Sequence, residues 1–202
     1  MRRNAAGPRD RAGRWALAVV SAMLIAATTS ALAGAGTGSR APSGKEVLNF
    51  DVAEDPTRFV FSSENVHPDG FPAYGNYFVT QGYLYPEGTL VGGEDGVNDD
   101  GSPSLPDEVL GEWTCWGVHI GDGGHTSEGA WVVTTQLFSL GSKKTIVTDG
   151  YELSEVGVPG SRAITGGTGR YRGASGQQIQ TLLGFGAANN ILLRSQLLVV
   201  TG

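Results

Sequence analysis

Between two stretches in which apolar and polar residues alternate, the chain carries Ile164-Thr165-Gly166-Gly167-Thr168-Gly169-Arg170-Tyr171-Arg172-Gly173-Ala174-Ser175-Gly176, five glycines in thirteen residues. Glycine tolerates positive φ and lets a second backbone approach where a Cβ would collide. The run therefore predicts a sharp hinge between two tightly packed strands. A phosphate-binding loop is the competing reading. Gly173 comes one residue too late after Gly167-Thr168-Gly169 for G-x-G-x-x-G, and no helical periodicity follows to supply the N-terminal N–H groups that hold a phosphate.

Period-two alternation also dominates the rest of the chain, and helical periodicity is nearly absent. Strands are expected at 47–52, 58–62, 76–85, 89–92, 112–120, 131–140, 144–153, 162–165, 174–183 and 190–200, two or three of them short or irregular. Long strands separated by regular turns fit a closed barrel or a sandwich. The barrel is preferred because closure removes the free sheet edges. In the last strand Ile191, Leu193, Ser195, Leu197 and Val199 form the face expected to point inward, while Arg194 and Gln196 mark the other as solvent-directed. Apolar residues on that outer face, and on both faces of 131–138, suggest an oligomer interface. The acidic stretch 92–107, with Glu94, Asp95, Asp99, Asp100 and Asp107, reads as an exposed excursion. Its Gly96 stands where a calcium loop needs its first carboxylate, so a solvated loop is the favoured reading.

Residues 1–33 read as an export signal: five arginines precede an apolar run from Trp15 to about Ala27, and Ala31-Leu32-Ala33 offers small residues for cleavage. A leader, 34–46, then precedes one domain at 47–202. Removing the signal leaves nine basic against nineteen acidic residues, a formal charge of −10. Such a surface repels nucleic-acid phosphates and anionic lipid, so neither nucleic acid nor, after processing, a membrane is an expected partner. The expected location is extracellular. Cys115 is the only cysteine, so no intrachain disulfide can form and stability must come from burial.

Ile146-Val147-Thr148-Asp149-Gly150-Tyr151-Glu152-Leu153, followed by the hinge from Ala163 to Gln177, resembles the allene oxide cyclase barrel-like group, which includes the dirigent proteins. The hinge is similar to that group's V-x-G-G-[ST]-G-x-[FY]-x-G-[AV]-x-G run, and the resemblance covers the C-terminal third best. It implies an eight-stranded antiparallel barrel around an apolar cavity, commonly a homotrimer. It also implies one of two activities: orienting phenoxy radicals, or cyclising an unstable epoxide. The cyclases of the group carry a glutamate and an asparagine two apart on the first strand. Here that region reads Glu46-Val47-Leu48-Asn49-Phe50-Asp51, without the spacing. The resemblance makes Cys115 the counterpart of a pocket cysteine.

Trp113, Cys115, Gly117 and His119 share one strand face, which places a thiol and an imidazole along one wall. Residues four apart on a strand are about 13 Å apart, too far for a direct nucleophile–base dyad. Asp149 and Glu152 fall on opposite faces, so only one can point inward, where an apolar barrel would raise its pKa. Cys115, Asp149 and Glu152 are therefore the catalytic candidates, and Tyr83, Trp113, Cys115, Leu193 and Leu197 the candidate ligand-binding residues. No cofactor motif is present, and His67, His119 and His125 are too scattered in sequence to predict a metal site. Three functions follow. The leading one is an exported barrel that binds or orients an apolar or phenolic small molecule. The alternatives are an isomerase or cyclase with a buried carboxylate, and a structural barrel without ligand.

Overall fold

The structure, a computed structural model, describes residues 44–92 and 94–202. The signal 1–33 and most of the leader 34–46 expected from the sequence lie outside the described residues. Nine strands form one antiparallel sheet: β1 (Gly44–Glu54), β2 (Val60–Phe61), β3 (Tyr77–Pro86), β4 (Gly111–His119), β5 (Ala130–Ser139), β6 (Thr145–Leu153), β7 (Pro159–Gly167), β8 (Ser175–Phe185) and β9 (Ile191–Thr201). The sheet order is β1-β9-β8-β7-β6-β5-β4-β3-β2, and β1 also pairs with β3 from Phe50↔Pro86 to Glu54↔Gly82. Eight strands thus close the expected barrel. The short β2 takes the edge of β3 that β1 leaves free. The seam is tight: a Cβ on Gly82 would stand 2.1 Å from the Ala53 carbonyl oxygen.

Two expected strands dissolve for local reasons. In 89–92, the N–H groups of Gly88 and Leu90 donate to Asp51 Oδ2, which bends this segment into a turn. In 58–62, Asp55 caps a 3-10 turn at Pro56–Arg58 by accepting from Thr57 N (2.9 Å), leaving only Val60–Phe61 as strand. The acidic excursion is not wholly exposed either. Val97 and Leu90 pack with Ala53, Tyr83, Tyr85 and Leu192 in a second apolar cluster on the outside of the barrel wall.

The hinge closes one end of the barrel. Between β7 and β8 it folds into a 3-10 turn at Gly169–Tyr171, and Tyr171 and Ala174 turn back into the core. A Cβ on Gly167 would lie 2.6 Å from both the Thr145 and Tyr171 carbonyl oxygens, which is the close approach that the glycine-rich sequence predicts. Above this plug Phe138, Ile146, Leu197 and Val199 fill the interior. The inward face of β9 is the one read from its alternation, with Leu193, Ser195, Leu197 and Val199 all buried.

Candidate functional site

The opposite end of the barrel is open. Glu54 at the end of β1, Thr80 near the start of β3, Cys115 and His119 on β4, and Glu152 on β6 converge on one cavity of about 300 Å³. Phe59, Phe71, Phe78, Trp113, Trp131 and Phe185 supply aromatic walls. Phe71, with Pro72, comes from the connection between β2 and β3, and Gly124 from that between β4 and β5, so two loops roof the mouth.

Glu152 sits at the base of this cavity, 6% exposed, because β6 alternates Ile146, Thr148 and Glu152 inward. Its Oε1 accepts from Thr134 Oγ1 (2.5 Å), Gln136 Nε2 (3.0 Å) and the Cys115 thiol (3.4 Å), and its Oε2 accepts from Gln180 Nε2 (2.8 Å). Arg162 Nη1 lies 3.6 Å from Oε1. That guanidinium is fully buried and also donates to the carbonyls of Gly150, Tyr151 and Thr134. Glu152 is thus held on every side by the barrel's own polar groups.

Glu54 is less encumbered. Thr80 Oγ1 donates to its Oε1 (2.7 Å) and the Ile191 N–H to its Oε2 (3.1 Å), and no cation contacts it among the described residues. Burial raises its pKa above the ordinary carboxylate range, the bonds from Thr80 and Ile191 oppose the rise, and the nearby Glu152 charge adds to it. A protonated carboxyl in an apolar cavity can donate a hydrogen bond as well as accept one. Burial pushes the Cys115 thiol well up, and the negative Glu152 reinforces this, so Cys115 is a buried hydrophobe and not an activated nucleophile. Burial lowers the pKa of His119 despite its contact with the Asn76 carbonyl, and its ring packs against Phe78 at 4.9 Å.

Of the candidates, Trp113, Cys115 and Glu152 lie on the cavity wall, and His119 shares the face of Trp113 and Cys115. Cys115 engages Glu152, not His119. Asp149, Tyr83, Leu193 and Leu197 lie off the cavity wall. Asp149 faces outward, held by the hydroxyls of Thr135 and Thr165. Burial would raise its pKa, but these two bonds and the Arg162 charge outweigh it and lower it instead. Tyr83 also faces outward, under the acidic excursion, where its hydroxyl donates to the Gly101 carbonyl (3.0 Å). Leu193 and Leu197 point inward but are packed into the core, off the cavity wall. Glu54 was not among the expected residues, although the alternation of Phe50 and Val52 extends to it. Glu46, in the region comparable to the cyclases' first-strand pair, lies far along β1 from the cavity and pairs with Arg170 of the hinge.

No family model matches the chain, and no curated protein sequence does. Solved structures do match. The chain has the barrel fold of the dirigent proteins. The pterocarpan synthase dirigent protein PsPTS1 is 19% identical with a TM-score of 0.55, the match covering 78% of this chain and 96% of that one. The pterocarpan synthase dirigent protein GePTS1 is 15% identical with a TM-score of 0.55, covering 79% and 91%. At this identity the likeness concerns the path of the backbone; the residues of the cavity have to be argued from their own chemistry.

Proposed function

We propose that this chain is an exported barrel that binds a compact, largely apolar, ring-bearing small molecule in the mouth cavity and orients it there. The observation that carries the reading is the cavity itself: about 300 Å³, walled by aromatic rings, with polar groups confined to a few positions around Glu54. A site of this size and composition takes its affinity from apolar burial and its orientation from the few polar contacts. A phenolic hydroxyl suits it, since Glu54 offers a hydrogen-bond partner in either protonation state, whereas an anion would meet two carboxyl groups with no facing cation on the wall. Restricting a flexible or reactive molecule to one orientation contributes to rate and product choice without any protein nucleophile. The apolar Tyr77, Val79, Trp116, Val133 and Tyr151, exposed on neighbouring strands β3 to β6, support the further proposal of a homotrimer.

Calorimetric titration with 2-naphthol and with 2-naphthoate tests the reading. The neutral phenol should bind saturably with one site per chain and the carboxylate at least tenfold more weakly, while Ile191→Trp, which fills the cavity, should abolish binding. No saturable binding of the phenol, or equal binding of both probes, would reject it.

A second reading, an isomerase or cyclase using a buried carboxylate, is favoured by the raised pKa of Glu54. Glu54 could protonate a developing oxyanion and recover the proton at the end of the step, a task suited to a carboxyl whose pKa is moved toward neutrality. On this reading Glu54→Gln abolishes turnover but preserves binding of the neutral probe.

A further inference from the structure

Histidines that are far apart in sequence meet at the cavity mouth. His67 lies in the connection between β2 and β3, and Asp122 and His125 lie in that between β4 and β5. One ligand atom from each of the three lies within 4.8 Å of the other two, and the two imidazole rings stack with centroids 4.2 Å apart. His67 Nε2 is 3.1 Å from the Asp122 backbone carbonyl oxygen and 3.7 Å from Asp122 Oδ1. A second carboxylate, Asp69 Oδ2, is 2.8 Å from His125 Nε2.

The backbone fixes this meeting. The Gly124 N–H donates to the Pro72 carbonyl (2.8 Å), the His67 N–H to the Phe71 carbonyl (2.8 Å) and the His125 N–H to the Asp122 carbonyl (3.2 Å). Gly123 has φ +60°, and a Cβ there would stand 2.2 Å from the Pro72 carbonyl oxygen, so the two connections touch along bare backbone. An Asp–His contact on a surface has an ordinary explanation in Asp69 and His125 alone. The His67 ring has its own contact, with the Asp122 carbonyl, but neither contact by itself stacks the two imidazoles with a second carboxylate beside them.

We propose that His67, Asp122 and His125 bind one divalent transition-metal ion of the zinc class, which clips the two roofing loops together over the cavity. Two imidazoles and a carboxylate match the donor preference of zinc, whereas calcium and magnesium favour all-oxygen sites. Asp69 holds the His125 ring, as carboxylates commonly do for metal-bound histidine. Bringing the three ligand atoms onto one ion needs a closure of up to about 1.5 Å by side-chain rotation, since donors on a tetrahedral zinc stand about 3.3 Å apart and these lie within 4.8 Å of one another. The side chains of His67 and His125 are 22% and 37% exposed, so an ion reaches them from solvent without opening the barrel. Phe71, Pro72 and Gly124, which wall the cavity, lie within a few residues of these ligands, so the ion would tie the cavity roof to itself.

The test uses the untagged protein stripped with a chelator, titrated calorimetrically with zinc chloride. One ion per chain should bind. His67→Ala, His125→Ala and Asp122→Asn should each weaken binding at least tenfold, and Asp99→Asn in the acidic excursion should leave it unchanged. Zinc at about 100 times its dissociation constant should raise the melting temperature by about 5 °C or more, whereas calcium and magnesium should not. X-ray absorption at the zinc edge should show nitrogen and oxygen scatterers near about 2.0 Å with imidazole outer-shell features. Absence of stoichiometric binding overturns the proposal, as does binding that survives the His67 and His125 substitutions or an equal response to calcium.

Discussion

Whether Glu152 is an anchor of the barrel or a free acid of the cavity can be decided by its coupling to Arg162. The charges lie 3.6 Å apart with their side chains 7% and 0% exposed. At an effective dielectric constant of about 20 their attraction is about 4–5 kcal/mol, before subtraction of the hydration both groups lose on burial. Removing one partner leaves the other buried without its counter-charge, which costs about 3–5 kcal/mol. Glu152→Gln keeps the shape of the side chain but turns one acceptor into a donor facing the Gln180 amide. Arg162→Met removes the cation together with its three bonds to backbone carbonyls. Each single variant should therefore destabilise by about 3 kcal/mol or more. The double variant should fall short of the sum by at least about 1 kcal/mol, because the second change no longer strands a charge. Urea unfolding followed by tryptophan fluorescence at neutral pH gives all four corners of the cycle. Losses that add to within about 0.5 kcal/mol would show the two groups to be independent, and Glu152 would then rank beside Glu54 as a cavity acid.

Glu54 holds its proton to a higher pH in the folded chain than the ordinary value of 4.5, so the folded state binds more protons over that window and stability falls as pH rises through it. Glu54→Gln should flatten this fall above pH 4.5 in thermal melts; an unchanged profile would assign the pH dependence elsewhere. The buried Cys115, its thiol pKa pushed up, should resist a disulfide reagent at pH 8 in the native protein and react fully in guanidinium; rapid native reaction would show the barrel wall to open. Gly82→Ala sets a Cβ 2.1 Å from the Ala53 carbonyl oxygen at the β1–β3 seam and should cost about 3 kcal/mol in urea unfolding. A loss under about 0.5 kcal/mol would mean that closure tolerates a wider seam.

The sequence was most legible where one side of a strand meets solvent and the other meets the core. Alternation identifies the buried β9 face of Leu193, Ser195, Leu197 and Val199 and the inward β4 face of Trp113 and Cys115, and it sets Asp149 and Glu152 on opposite sides of β6. Parity alone could not say which of the two is inside, because β6 carries half-buried residues on its outer face as well. The outward position of Tyr83 is hidden from the sequence for a related reason. Its strand is apolar on both sides, since Ala53, Leu90 and Val97 cover its outer face where a bare barrel would meet water. Leu193 and Leu197 point inward, but period two gives no depth, and both pack into the core cluster instead of lining the cavity. The histidine cluster depends on two loops crossing at Gly123 and Pro72, a contact that no local pattern announces.

The filled and hollow ends of the barrel are separated by a polar belt, and that belt is what lets a cavity persist in an otherwise close-packed interior. The two N–H groups of Gln178 Nε2 are shared among Gln136 Oε1 (3.0 Å), Gln180 Oε1 (3.1 Å) and Ser195 Oγ (3.0 Å), and Gln136 Nε2 donates to Gln180 Oε1 (2.7 Å) and to Glu152. Strands β5, β6, β8 and β9 are thereby joined across the interior as well as around the wall. An aliphatic belt could slide or repack toward an empty space at little cost, because dispersion contacts are weak singly and not directional. An amide cannot, since leaving its partner strands a buried donor or acceptor at about 1–3 kcal/mol each. The belt gives the cavity a floor that does not rise to fill it. Glu54 lies above that floor, on the wall, bonded only by one hydroxyl and one backbone N–H. On the proposed function the two carboxyl groups divide the labour: Glu152 holds the shape of the site, and Glu54 is the group offered to a ligand.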